Sequence, residues 1–477
     1  MTGRDPAALR ASLDHPVVDG DGHVVESLPV LVEHIRRVAS SDVADTFSGA
    51  SDAFRSRSAA VTAAAGPGRA QPGRAIAPWW ALPTDARDRV TGFAPALMYE
   101  RLDELGIDFT VLYSSVGLAT IGHPDAAVRQ GSCRGINTYL AEMLAGYEDR
   151  MTAAAVIPTH TPEEAIAEID HAVRTLGFKA VMLNSYVTRP APERGAGAEW
   201  YDVLALDSAH DYDPVWSRCV DLGVAVTVHS ASMGVGLRQS SSRYMFNHIG
   251  NFAASSEAFA KALFFGGVGR RFPTLNVAFL ECGVAWGVQL LFDLIGRWDK
   301  RGGPNIARLD PANVDRATWD ELLVRYGGAV FADAEVRQRT IAQSDNPPAQ
   351  VDDFAESGVA SPSDIVAQFG RWFFGCEADD GTVSWAFADR VNPLGATLQP
   401  IFGSDLGHWD VTDMRDVLPE AHELVERGLV TPAQFRAFSC DNTIRLHGAM
   451  NPAFFDGTRV EAYARALLAS PVPATPT

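Results

Sequence analysis

Lysine is nearly absent. Among 477 residues it occurs only at Lys179, Lys261 and Lys300, so arginine carries almost all the positive charge. Basic groups are also outnumbered, 40 against 59 acidic ones, for a formal net charge of −19. That balance excludes nucleic acid or an anionic membrane as the main partner, because both are held by clustered Lys and Arg. There is no run of ~18 apolar residues, the length a membrane-spanning helix needs. Met1 to Pro16 lacks the charged-then-apolar pattern of a signal peptide. Cysteine is sparse and scattered, at Cys133, Cys219, Cys282, Cys376 and Cys440, with no Cys-x-x-Cys pair. An odd, dispersed set points to reduced thiols in the cytoplasm, not to a disulfide frame or a structural zinc site.

What the chain does have is a regular alternation of short apolar runs and helical patterns. The runs are 17–23, 109–115, 153–158, 180–186, 225–230, 276–282, 372–377 and 400–405. Thr161-Pro162-Glu163-Glu164 is a capping box with proline at the first helical position. Ile166, Ile169, Val173 and Leu176 then recur at helical steps, and Gly177 follows. Asp213-Pro214 opens a shorter helix that stops at Gly223, and Thr431-Pro432-Ala433-Gln434 opens another. Eight strands alternating with helices predict parallel β/α units. The expected fold is a (β/α)8 TIM barrel, with a doubly wound sheet as the rival. Residues 39–95, which include Trp79-Trp80, and residues 302–365 fit no minimal barrel. They are read as insertions in one domain spanning 1–477, with the two tryptophans as lid packing.

Three strand ends carry groups suited to a metal ion. The first run reads Val17-Val18-Asp19-Gly20-Asp21-Gly22-His23. Strand side chains alternate, which predicts Asp19, Asp21 and His23 on one face. The fifth reads Val226-Thr227-Val228-His229-Ser230, and the last reads Ile401-Phe402-Gly403-Ser404-Asp405 followed by Leu406-Gly407-His408. Any one of these could be a polar turn or a satisfied core histidine. An acid ending a buried strand, however, needs a metal or a cation to compensate it. Three such strand ends at the catalytic rim of one barrel point to a metal site.

Asp-x-His on the first strand, His at the end of the fifth and Gly-Ser-Asp-x-x-His on the eighth resemble the amidohydrolase superfamily. More narrowly, the chain resembles the amidohydrolase-2 group related to aminocarboxymuconate-semialdehyde decarboxylase. Arg101–Asp108, Gly177–Val181 and Asp441–Leu446 support the resemblance, which runs from about Val17 to Thr458. It implies a divalent metal, zinc, manganese or iron, at the mouth of the barrel, held by Asp21, His23, His229 and Asp405. It also implies a hydrolase or decarboxylase acting on a small anionic organic molecule through metal-activated water or a metal-chelated carboxylate. Asp405 would orient or deprotonate the water. Arg238 or Arg243, in the loop after the fifth strand, would hold the anion.

The departures from the family are informative. Where the decarboxylases carry a catalytic histidine on the sixth strand, this chain has Glu281, in Phe279-Leu280-Glu281-Cys282-Gly283. Glu281, or His248 from the preceding loop, is the candidate proton carrier. His160 and Glu377 also fall at strand ends but are not expected on the metal. Lys179 begins its strand and so sits away from the catalytic face, which excludes a second metal bridged by a carboxylated lysine. A second ion held by Glu281, Asp405 and His248 or His408 stays open. So do two other readings: a dinuclear iron or manganese oxygenase on the same scaffold, and a metal-bearing non-catalytic subunit. A homo-oligomer, or a hetero-oligomer with a homologous subunit, is expected.

Overall fold

The computed structural model describes residues 4–50, 83–343, 351–408 and 410–470. The Trp79-Trp80 pair lies outside these. Ten strands are present: β1 (Val18–Val24), β2 (Phe109–Ser114), β3 (Met151–Ile157), β4 (Ala180–Leu183), β5 (Val187–Pro190), β6 (Glu199–Asp202), β7 (Val226–Val228), β8 (Val277–Phe279), β9 (Trp372–Glu377) and β10 (Gln399–Gly403). Eight form one sheet in the order β1-β2-β3-β4-β7-β8-β9-β10, each ladder parallel. Asp405 N donates to Asp21 O at 3.0 Å and His23 N to Leu406 O at 3.0 Å, joining the two outer strands. This is the (β/α)8 barrel. Its strands are buried on both faces because helices cover them outside and side chains fill them inside. The antiparallel hairpin β5–β6 was not foreseen: its pattern is polar, and its register is Val187 with Asp202.

The helix start signals act as expected. Thr161 and Glu164 cap Pro162–Arg174 reciprocally, and Thr431 and Gln434 do the same for Pro432–Arg436. Asp213–Leu222 ends at Gly223, whose φ of 67° suits a residue without a side chain. Within the region expected as an irregular insertion, Arg316–Tyr326 and Ala334–Gln343 are helical. Among the described residues no helix is long and apolar enough to cross a membrane.

Candidate metal centre

A bulge in β1 sets the geometry of the site. Asp19 pairs with Thr110 and His23 with Tyr113, and the register shifts between Asp19 and Gly22. Thr110 and Tyr113 are three residues apart on β2 and face opposite sides, so Asp19 and His23 do too. The expectation of one shared face therefore holds for Asp21 and His23 but fails for Asp19. The Asp19 carboxylate instead accepts from Thr110 Oγ1 (2.6 Å), Ser404 N (2.9 Å), Ser404 Oγ (2.6 Å) and Asp21 N (3.1 Å). It is a buried knot between the first and last strands, just below the mouth.

Glu281 and Asp405 leave their strands in left-handed backbone, with φ of 49° and 48°. Such conformations are strained for residues with a side chain and recur where function fixes the backbone. The turn at Glu281 depends on Gly375 of β9. A Cβ there would lie 2.8 Å from Leu280 Cα and 3.0 Å from Glu281 N. Gly375 O also accepts from Cys282 N (3.2 Å) and Gly283 N (2.9 Å), pinning the turn.

The side chains converge. His23 Nε2 is 3.1 Å from Asp405 Oδ1, 3.6 Å from Asp21 Oδ1 and 3.8 Å from Glu281 Oε2. His229 Nε2 is 2.9 Å from Glu281 Oε2 and 3.9 Å from Asp21 Oδ1. His408 Nδ1 is 2.5 Å from Asp405 Oδ1 and 3.9 Å from Glu281 Oε2, while its Nε2 lies 3.2 Å from Ser115 Oγ. The His23 and His408 rings stack at 3.4 Å. Two overlapping sets result, Asp21-His23-His229 and His23-Glu281-Asp405-His408.

Electrostatics indicate what belongs between them. Asp21 Oδ1, both His23 nitrogens, both His229 nitrogens, Glu281 Oε2 and both Asp405 oxygens are buried without a hydrogen-bond partner. Burial, then the charge of Asp410, lifts the Glu281 carboxyl well above its usual range. Burial, then Glu281 and Asp410, does the same to Asp405. Burial raises Asp21 too, opposed by His229. Burial, with the neighbouring rings, pushes His23 and His408 well below theirs. Acids pushed up and imidazoles pushed down, with lone pairs aimed at a common point, make a poor hydrogen-bond network. They make a good oxygen–nitrogen cradle for a divalent ion.

The other candidates are placed as follows. His248 lines a cavity of about 370 Å³ beside Glu281, together with Phe252, Glu377, Asp379 and Asp380. Its Nδ1 lies 3.1 Å from the Tyr244 hydroxyl, and the two rings stack. It belongs to none of the ligand sets found among the described residues. Arg238 and Arg243 do not line that cavity. Arg238 donates at 3.0 Å to the carbonyl of Gly250, which does line it. Arg243 precedes the helix Tyr244–His248, is exposed and donates to Ser242 O, so it points away. His160 lies outside the site, its Nδ1 3.9 Å from a Glu164 oxygen. Lys179 donates to Phe454 O at 2.8 Å, at the opposite end of the barrel. Sequence reasoning missed Asp410, two residues beyond His408, and gave Glu377 too little weight; Glu281, Glu377 and Asp410 form a third set. Tyr113, whose buried hydroxyl has no partner and whose ring centroid is 6.2 Å from that of His229, was missed too. Its position in an apolar strand gave no signal.

Residues 18–301, well over half the chain, match the amidohydrolase family. The chain belongs to the amidohydrolase family. It is 30% identical over 112 residues to a decarboxylase of Emericella nidulans, a stretch covering 23% of this chain and 28% of that protein. It is 28% identical over 128 residues to the gamma-resorcylate decarboxylase of Polaromonas sp. strain JS666, covering 27% of this chain and 36% of that one. The matched stretches therefore span well under half the length of either relative. A solved amidohydrolase of Mycobacterium avium subsp. paratuberculosis K-10 superposes with a TM-score of 0.53 at 16% identity, covering 92% of this chain and 100% of that one. That likeness is one of fold.

Proposed function

We propose that this amidohydrolase-family protein is a metal-dependent carboxy-lyase or hydrolase acting on a small aromatic carboxylate. Asp21, His23, His229 and Asp405 would hold the metal, with Glu281 and His408 completing its surroundings. The observation that carries this reading is the convergence of buried, unpartnered nitrogen and oxygen atoms from four strand ends. The Emericella and Polaromonas relatives are both named decarboxylases, which favours the lyase branch.

A bound divalent ion supplies Lewis acidity and an acidified water. The residues do the rest. Asp405 orients the water or the substrate oxygen from its strained turn. Glu281 Oε2 shares the space faced by His229 Nε2 and His23 Nε2, which favours a ligand over a free proton carrier. His248, oriented through Nδ1 by Tyr244, is then the group placed to move a proton between the cavity and the reacting carbon or leaving group. Burial lowers the His248 pKa, keeping its ring neutral and able to accept a proton.

Three carboxylates with three histidines form a hard, mixed set that also suits iron or manganese. That favours, as a second reading, an oxygenase on the same site. Metal identity and stoichiometry of the purified protein, followed by assay of CO2 release from aromatic carboxylates with and without dioxygen, test both. CO2 release that is independent of oxygen supports the lyase. Turnover only with bound iron and oxygen uptake would replace it, and a protein that takes up no divalent metal would sink both.

A further inference from the structure

We propose that a second divalent cation binds beside the histidine-lined centre, held by Glu281, Glu377 and Asp410, with Glu281 shared between the two. The inference rests on the first site being a metal site.

Glu281, Glu377 and Asp410 each offer an oxygen within 4.8 Å of the others. Grouped acids are common at surfaces, but two of the carboxylates at this junction are not surface groups. The side chains of Glu281 and Asp405 are 6% and 8% exposed, and Glu281 Oε2 and both Asp405 oxygens lack hydrogen-bond partners. Both histidine contacts of Asp405 use Oδ1. Its buried Oδ2 remains, on a carboxylate that abuts Asp410. One ion among the imidazoles leaves these further oxygens uncompensated. No lysine or arginine answers them: the lining of the adjacent cavity includes Glu281, Glu377, Asp379 and Asp380, and its one histidine, His248, is held neutral by burial.

The same cavity has to admit the substrate. An aromatic carboxylate entering a space with four acids in its wall meets a repulsive field, and neither Arg238 nor Arg243 lines it. A divalent ion on Glu281, Glu377 and Asp410 reverses the sign of the field there. An all-oxygen carboxylate set selects a hard ion such as Mg²⁺ or Mn²⁺. The second cation thus takes the place of the arginines that anion-binding sites otherwise use.

Mn²⁺ uptake by the full chain, counted by elemental analysis after desalting and followed by titration, tests this. We expect two Mn²⁺ per chain in the wild type and one in both Glu377→Gln and His23→Ala. The second-site affinity should fall at least about tenfold in Glu377→Gln, the smaller effect known for loss of a mere supporting partner. Glu377 is exposed to the cavity, so this swap leaves the fold intact, and a thermal melt of the metal-free variant confirms it. One ion in the wild type, kept by Glu377→Gln and lost by His23→Ala, overturns the second site while the proposed function stands. One ion lost by Glu377→Gln and kept by His23→Ala removes the histidine site, and with it both the proposed function and the pair built on it. Two ions undiminished in Glu377→Gln overturn the assignment.

Discussion

Asp405 combines three features that rarely meet in one residue: a φ of 48°, a buried carboxylate without a hydrogen bond, and contact with two stacked imidazoles. Asparagine would keep its shape while losing the charge and one acceptor. Asp405→Asn should therefore abolish turnover while barely moving the melting temperature, and full activity on any substrate of the wild type would remove Asp405 from the mechanism. Histidines can be ranked in the same way. His23 Nε2 faces three carboxylates, whereas His160 lies outside the site. His23→Ala should lose the ion held among the imidazoles and His160→Ala none, as elemental analysis of the two proteins would show. Glu281→Gln should lower metal content, because a neutral amide is a weak ligand. Retained metal with turnover reduced roughly 10²–10⁴-fold would instead make Glu281 the proton carrier.

At the scale of elements, the seam between β1 and β10 decides whether the ligands meet. Strand pairing brings neighbours along the sheet together, but the first and last strands are 375 residues apart from the end of β1 (Val24) to the start of β10 (Gln399). Asp19 ties them with two hydrogen bonds from Ser404, and is itself held by Thr110 of β2 and by Asp21 N. Asp19→Ala would leave Ser404 N and Asp21 N without their acceptor and should destabilise the protein by at least about 3 kcal/mol, at ~1–3 kcal/mol for each buried group left unpaired. Urea denaturation of the metal-free protein measures this. A change under about 1 kcal/mol, the net worth of one ordinary hydrogen bond, would mean the seam holds without it. Gly375 supports the neighbouring turn by being small, and that too belongs to a pair of elements.

For the molecule as a whole, two linkages follow from what is buried. Glu26, just past β1, accepts from the Ser114 hydroxyl and from Val116 N at 3.0 Å. Burial raises its carboxyl from 4.5 to about 7 despite those bonds. The folded chain therefore keeps this proton where the unfolded chain has lost it, so stability falls as pH rises between those values, by about 3 kcal/mol in full. Glu26→Gln removes that dependence: its melting temperature should gain on the wild type as pH rises from below about 4 to above about 8. A constant difference across that range would show that Glu26 titrates normally. Metal removal acts through mass action, since an ion bound only by the folded state stabilises it by about 2.7 kcal/mol at a hundredfold excess over Kd. A chelator should lower the melting temperature of the wild type by more than that of His23→Ala, which has one ion fewer to lose.

Local rules were enough to locate the strands and several helix starts. Apolar runs of strand length, the Thr161 and Thr431 capping boxes, and Asp213-Pro214 are each written in consecutive residues, and the strands that the runs mark begin and end within about three residues of where local signals put them. Strand order then placed Asp21, His23, His229 and Asp405 at one rim, because a parallel barrel sends every strand end to the same face. Other features needed the folded chain. The bulge that turns Asp19 from ligand to seam depends on the register with β2. The approach of Glu377 and Asp410 to Glu281 joins the ends of three different segments. Arg238 and Arg243 were placed by proximity in sequence, and in the folded loop neither lines the cavity. Sequence spacing determines which face of an element a side chain occupies. Which face meets which, and whether a charge finds a partner there, is decided only when distant strands close on one another.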